Sequence, residues 1–377
     1  MDFEFTEDQL ALSEAVTRWV DKGYGFERRQ ALVKAGGHAA EVLGELGDLG
    51  LAGLVVPAEQ GGMGFGAVEA MVVMEALGRG LVHAPYAALH LVSPALLAGC
   101  LPEVQARWLP RLAEGSARIA PALAETAGRY RLQQVATRAV NTADGWKLTG
   151  RKSLVPAGDE AQAFLVAARV GGADADASGI ALFVVEAGAA GSRVVGHPTH
   201  DGTRVAELHL SNTPAVQATG EALSLIERAA DVGIAAACAE AVGVMDRLLA
   251  ITVDYMNTRK QFGTPIASFQ ALRHRVADVK MQVELGRSMS YYATLRLGSD
   301  DDTRRRACAQ AKVQLGQSMR FVGQQCVQLH GGIGVTDEYI AAHYFKRLTT
   351  LEMAWGDTLH HLGEVSDRMQ ESAGVFA

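Results

Sequence analysis

The chain has 377 residues, 49% of them hydrophobic and 20% charged, the balance of a globular protein with a core large enough for two or three domains. Lysine plus arginine (35) against aspartate plus glutamate (42) gives a net charge of 35 − 42 = −7. With no basic patch or tail, nucleic acid is excluded as a partner class. The four cysteines, Cys100, Cys238, Cys308 and Cys326, are scattered without a Cys-x-x-Cys pair, so neither a disulfide framework nor a zinc site is indicated. The acidic start through Glu7 lacks the basic-then-apolar order of a signal peptide, and no apolar run is long enough to span a bilayer. A cytoplasmic protein without a membrane partner is expected.

The first section, 1–118, reads as helices. Thr6 is placed to cap a helix carrying Leu10, Ala11, Ala15, Val16 and Trp19, and Glu41–Leu51 and Val68–Leu77 are further helical stretches. Between them, Gly61-Gly62-Met63-Gly64-Phe65-Gly66 imitates a dinucleotide fingerprint. Its glycine spacing is wrong for Gly-x-Gly-x-x-Gly, and no second βα repeat follows. A tight interhelical turn is the simpler account. From residue 119 to 216 the segments become short and β-branched. Asn141–Leu148, with Asp144-Gly145 at its tip, predicts a hairpin; Phe164–Val170, Ile180–Glu186 and Val205–Leu210 predict further strands. Such a series makes a small antiparallel barrel or sandwich, with Val170–Gly179 as a mobile loop. From 217 to 377 long apolar stripes return. They run Ile226 to Tyr255, Leu272 to Val283, and Ala311 to Leu329 behind an Asp300-Asp301-Asp302 cap, which with Glu338–Met369 predicts a four-helix bundle. The expected fold class is therefore α+β and multidomain.

Two motifs in the last section carry chemistry. Gln328-Leu329-His330-Gly331-Gly332-Ile333-Gly334 ends a long helix, and glycines there let backbone N–H groups approach a phosphate. Upstream lie Arg259-Lys260-Gln261-Phe262-Gly263 and Phe269-Gln270, where an arginine fork suits a phosphate and an aromatic ring can cover an adenine. Either motif alone is weak, since a glycine pair after a helix is commonly only a C-cap. Together, at this spacing, they resemble the C-terminal domain of the flavin-dependent acyl-CoA dehydrogenases. The helices–strands–bundle order extends the resemblance over essentially the whole chain.

The resemblance implies α,β-dehydrogenation of an acyl-CoA thioester, with FAD as cofactor and an electron-transfer flavoprotein as redox partner. It places Arg259, Phe262, Gln270, Gln328, Gly331 and Gly332 against the adenylate and pyrophosphate half of an FAD held by a neighbouring subunit, which implies an oligomer. The chemical end departs from the family. Trp355 stands at the usual position of the catalytic glutamate, and the alternative Glu-Arg position falls on Gly233 and Ile234. Glu227-Arg228 lies six residues too early, about 9 Å along a helix. Where the family has Thr-Glu-Pro at the flavin pyrimidine the chain has Ala124-Glu125-Thr126, and Trp-x-Thr becomes Leu154-Val155-Pro156, which loses a donor. Arg129 replaces a serine of the family's Gly-Ser-Asp turn.

Other ionisable residues have plainer readings. Asp357 and Glu352 are candidate bases by proximity and capping or surface carboxylates otherwise. Glu240, in an apolar run, reads as one half of an interface salt bridge; His360-His361, His197 and His200 lack metal-ligand spacing and are expected at the surface. Since His343-Tyr344-Phe345-Lys346-Arg347 is similar to the small chain of heteromeric members such as pimeloyl-CoA dehydrogenase, the expected function is the base-less subunit of an α2β2 acyl-CoA dehydrogenase. Two alternatives remain open: a self-assembling active enzyme with an unusual base such as Asp357, and a flavin-free acyl-CoA-binding scaffold.

Overall fold

A computed structural model describes residues 5–372. The first section folds as α1 (Glu7–Gly23), α2 (Phe26–Lys34), α3 (Ala40–Asp48), α4 (Ala67–Arg79), a π-helical turn Ala87–Val92 running into α5 (Ser93–Leu97), and α6 (Pro102–Ala113). Thr6 does cap α1. Its Oγ1 accepts the Gln9 N–H at 3.3 Å, and the Gln9 side chain accepts the Thr6 N–H at 3.0 Å. This reciprocal box satisfies two donors that a helix start leaves orphaned. Thr6→Ala is expected to cost about 1 kcal/mol, read from the urea midpoint at unchanged m-value.

The β section comprises β1 (Ile119–Ala122), β2 (Arg138–Thr142), β3 (Gly145–Pro156), β4 (Ala163–Arg169), β5 (Ile180–Glu186), β6 (Ser192–Pro198) and β7 (Arg204–Thr219). The predicted hairpin forms between β2 and β3, with Thr142 opposite Gly145. The strand order β1-β4-β2-β3-β7-β5 closes through a β4–β5 ladder, with β6 added beside β7. β4 and β5 are apolar on both faces and buried along nearly all their length. Two expectations are corrected. The sheet is not wholly antiparallel, because β1 pairs with β4 in parallel; the intervening hairpin is a long enough connection to bring the chain back in the same direction. Nor is 170–179 a loose loop. The fully buried Arg169 donates to the carbonyls of Val135, Gln133, Asp174, Asp176 and Ser178 at 2.8–3.0 Å. One guanidinium thus spends its donors fastening two surface segments by their backbones.

The last section contains α7 (Leu223–Thr258), the two-residue strands β8 (Lys260–Gln261) and β9 (Thr264–Pro265), α8 (Gln270–Arg296), α9 (Asp301–His330), α10 (Ile340–Met353) and α11 (Thr358–Ser372). The stretch expected as one final helix is broken at 354–357. By contacts the chain forms two compact units. One holds residues up to Gln30, Ala67–Val82 and the chain from Ile234 onward; the other holds Ala31–Gly66 and His83–Gly233. In the first unit Val244, Leu248, Val279, Val283, Leu315, Val322 and Leu348 build the core of the bundle. There α4 meets α7 backbone to backbone: a Cβ on Gly78 would strike the Glu240 carbonyl, and one on Gly243 the Glu75 carbonyl. In the second unit β4 and β5 are buried, as are Leu89, Leu96, Leu97, Trp108 and Leu112 of its helical segments.

Candidate functional site

Five of the candidate cofactor residues lie around the end of α9 and the β8–β9 turn, with Gln270 opening α8. Gln261 pairs with Thr264, so Phe262 and Gly263 form a two-residue turn with φ of +54° and +78°. Left-handed backbone at both central residues is the type I′ turn that a hairpin favours. Phenylalanine pays about 1–2 kcal/mol for that conformation, and its ring is 92% exposed, with one edge-to-face neighbour in Phe269 at 6.1 Å. Arg259, Gln270, Gln328, Gly331 and Gly332 are exposed too. Gly331 needs glycine, at φ 66° and ψ −143°. Gly332 lies outside the left-handed region, yet a Cβ on either glycine would meet nothing within 4 Å among the described residues.

The turn between α10 and α11 holds the base candidates. Trp355 sits in left-handed backbone, φ 60°, with its ring packed against the bundle core. Its neighbours fix the turn by its carbonyls. The buried Lys312 ammonium donates to the carbonyls of Leu351, Glu352 and Gly356 at 2.8, 2.8 and 3.0 Å. His361 Nε2 donates to the Trp355 carbonyl at 2.9 Å, leaving Nδ1 buried and without a partner among the described residues. Burial draws Lys312 down to about 8. Burial, then the Lys312 charge, draws His361 down to about 3. Both nearby carboxylates serve the start of α11: Glu352 accepts the Thr358 N–H and hydroxyl at 3.1 and 2.6 Å, and Asp357 accepts the His360 N–H at 2.8 Å. His361 corrects the expectation of a surface histidine, being only 4% exposed, whereas His197 and His200 are exposed as expected. Lys312 escaped the sequence reading. Its signal was its place between Cys308 and Leu315, at the spacing of the buried face of α9.

The segments expected at the flavin ring belong to the β section. Glu125 is buried, and its carboxylate accepts the Ala136 and Thr137 N–H groups, the Thr137 hydroxyl and the Lys152 ammonium at 2.7–3.0 Å. Although burial opposes it, the Lys152 charge holds Glu125 below the usual carboxylate range. Leu154 has φ 54° and is 67% exposed, while Val155 is buried and Pro156 carries no N–H.

The His343–Arg347 run stitches the first unit together. His343 Nδ1 accepts from Arg29 at 2.9 Å, the Tyr344 hydroxyl donates to the Arg79 carbonyl at 2.6 Å, and the Phe345 ring fills the side-chain space that Gly323 leaves. Lys346 pairs with Asp337 at 2.6 Å. Arg347 grips the buried Glu240 through two bonds of 2.6 and 2.8 Å. The Glu240 partner is therefore on the same chain, which corrects the expected intersubunit bridge. Among the described residues no group of three or more histidine, cysteine, aspartate or glutamate residues could hold a metal ion, and no helix is long and apolar enough to cross a membrane.

Family models for the N-terminal, middle and C-terminal domains of acyl-CoA dehydrogenase match residues 6–116, 120–213 and 223–370. FadE12 of Mycobacterium tuberculosis (strain ATCC 25618 / H37Rv), an acyl-CoA dehydrogenase, is 31% identical over 350 residues, 89% of this chain and 88% of its own. The ChsE4-ChsE5 complex from Mycobacterium tuberculosis superposes with a TM-score of 0.89 at 29% identity, covering 99% of this chain and 100% of that one. A Tcur3481-Tcur3483 steroid ACAD variant gives 0.87 at 28%, covering 98% and 99%. The chain belongs to the acyl-CoA dehydrogenase family of FAD-dependent oxidoreductases acting on acyl-CoA.

Proposed function

We propose that this chain is the base-less member of a two-chain acyl-CoA dehydrogenase, lending an adenylate- and pyrophosphate-binding edge to FAD held by its partner. The observation that carries the reading is the Trp355 turn. A general base needs a carboxylate free to reach an acidic C–H. Here an indole stands in the position, and both adjacent carboxylates are engaged in capping α11. The presence of two chain names in the ChsE4-ChsE5 complex supports a paired assembly.

The residues fit the two ends of FAD unequally. Open space above Gly331 and Gly332, together with the exposed Arg259 and Phe262, suits phosphates and an adenine arriving from outside the chain. At the ring-end segment the buried Glu125 carboxylate is engaged by Ala136, Thr137 and Lys152, and the Leu154–Pro156 stretch offers neither a hydroxyl nor the proline N–H. FAD, when bound, would supply the acceptor for the β hydride. This chain's residues would hold its phosphates, and the base would come from the partner. We place the assembly in the cytoplasm, with an electron-transfer flavoprotein as the electron acceptor.

The test is purification of the chain alone and co-expressed with the product of its adjacent gene. The pair is expected to be yellow and to dehydrogenate acyl-CoA, and the lone chain to hold little flavin and turn nothing over. Turnover by the lone chain that vanishes in Asp357→Asn with FAD retained would establish the self-sufficient enzyme instead. A colourless pair that still binds CoA esters would establish the scaffold.

A further inference from the structure

The two motifs of the candidate grip are 65 residues apart in sequence and meet at one imidazole. His330 is the last residue of α9, directly before Gly331, and is 3% exposed. Its ring lies 4.7 Å from Tyr255, tilted 33°, and 5.1 Å from Tyr339, tilted 51°. Tyr255 is fastened to the hairpin, because its carbonyl accepts the Arg259 N–H at 2.8 Å. The Arg259 carbonyl in turn accepts the Ile266 N–H at 2.9 Å, beyond the turn. Tyr339 is the residue from which α10 starts. His330 thus touches the elements on both sides of the glycine turn and the one that launches the arginine hairpin.

The ring's chemistry explains why its angle is fixed. Nδ1 lies 2.8 Å from the Cys326 carbonyl, so it donates and carries the proton. Nε2 is left with a bare lone pair, buried and without a partner among the described residues. A buried unmet acceptor costs about 1–3 kcal/mol, and a phenylalanine would avoid it. The Nδ1 bond pins the ring plane to the last turn of α9, and its faces then set where the two tyrosines rest. Aromatic pairs at such distances add about 0.5–1.5 kcal/mol each beyond burial, enough to couple neighbouring elements.

We propose that His330 is a positioning residue that, wedged between Tyr255 and Tyr339, locks the Arg259 hairpin to the Gly331-Gly332 turn so that both engage FAD as one unit. This rests on reading those residues as the FAD grip. It adds that the grip is a single coupled surface and that one buried side chain sets its spacing. Gly332 is the other half of the argument. No backbone strain and no neighbour among the described residues requires a glycine there, so its missing Cβ leaves room for what the coupled surface receives.

The test is a double-mutant cycle on FAD affinity, followed by flavin fluorescence in whichever assembly holds the cofactor. Arg259→Ala is expected to weaken FAD about tenfold or more, the loss of one charged hydrogen-bond partner. His330→Ala is expected to weaken it about tenfold although it touches no ligand. The double variant should fall at least fivefold short of the product of the two, because a decoupled hairpin has less to lose. His330→Phe, which keeps a ring between the tyrosines but loses the Nδ1 bond that pins its plane, should recover only part of the loss and leave FAD about threefold weakened. Should His330→Ala not fold, His330→Asn keeps a donor for the Cys326 carbonyl without a ring, and carries the same expectation. Multiplicative effects, or unchanged affinity in the His330 variants beside a weakened Arg259→Ala, overturn the coupling while leaving the grip in place. Unchanged affinity in Arg259→Ala overturns the grip itself, and the coupling with it.

Discussion

Arg347→Met is expected to destabilise the chain by about 3–5 kcal/mol, the cost of leaving a buried charge without its partner. Glu240 is 7% exposed, and both of its carboxylate oxygens are taken by the Arg347 guanidinium, Oε1 by Nε and Oε2 by Nη2. Around it the helices leave little room for water. The backbone of Glu240 lies against Gly78 of α4, and Gly243 one turn on lies against Glu75. Removing the arginine strands a carboxylate in that crossing. Removing both charges should not, since a buried pair replaced by apolar groups of similar volume is often neutral. Glu240→Met with Arg347→Met is therefore expected to recover most of the loss. Urea unfolding of the three variants at constant m-value reads the difference; equal midpoints for the single and double variants would show that the pair is not what holds α7 to α10.

The same pair shows what could and could not be read beforehand. The order of helices, strands and bundle was legible because each section keeps one hydrophobic period, 3.6 or 2, over many residues. The Thr6 cap and the β2–β3 hairpin were legible because both are local, needing three or four residues to specify them. The His343–Arg347 run was legible as a family feature, but not as structure. Its partners, Arg29, Arg79, Asp337, Gly323 and Glu240, are spread over the chain, and nothing local says that Arg347 should find Glu240. The parallel β1–β4 ladder and the Arg169 cage fail for the same reason. A loop of glycine, alanine and aspartate looks loose until a buried arginine from the preceding strand is seen to hold its carbonyls. At the candidate site, composition marked the glycine turn and the arginine hairpin. The stack that joins them is tertiary, and the burial that makes Lys312 and His361 unusual depends on helices distant in sequence.

Those two residues make the turn at Trp355 sensitive to acid. His361 is held neutral in the fold, with its titration pushed down to about 3 by burial and by the Lys312 charge, while an unfolded histidine titrates near 6.5. Between these values the unfolded chain binds the extra proton, so stability rises with pH across the window and is lost as pH falls. The contribution is fully present above pH 6.5. By pH 5 about 2 kcal/mol of it is gone, a pH step of 1.5 at about 1.4 kcal/mol per unit. His90, drawn by burial down to about 4, adds a slope of the same sign. The share due to His361 is isolated by His361→Gln, whose amide can donate to the Trp355 carbonyl and does not titrate. Urea unfolding at pH 8 and pH 5 should show the natural chain losing about 2 kcal/mol more than the variant on acidification. In the folded chain Trp355 fluorescence should stay constant between pH 8 and pH 5 and change only as pH approaches 3, where protonating Nδ1 places a second cation next to Lys312. If the two proteins lose stability equally between these pH values, His361 is not held neutral, and the carbonyl lock on the Trp355 turn is weaker than its geometry indicates.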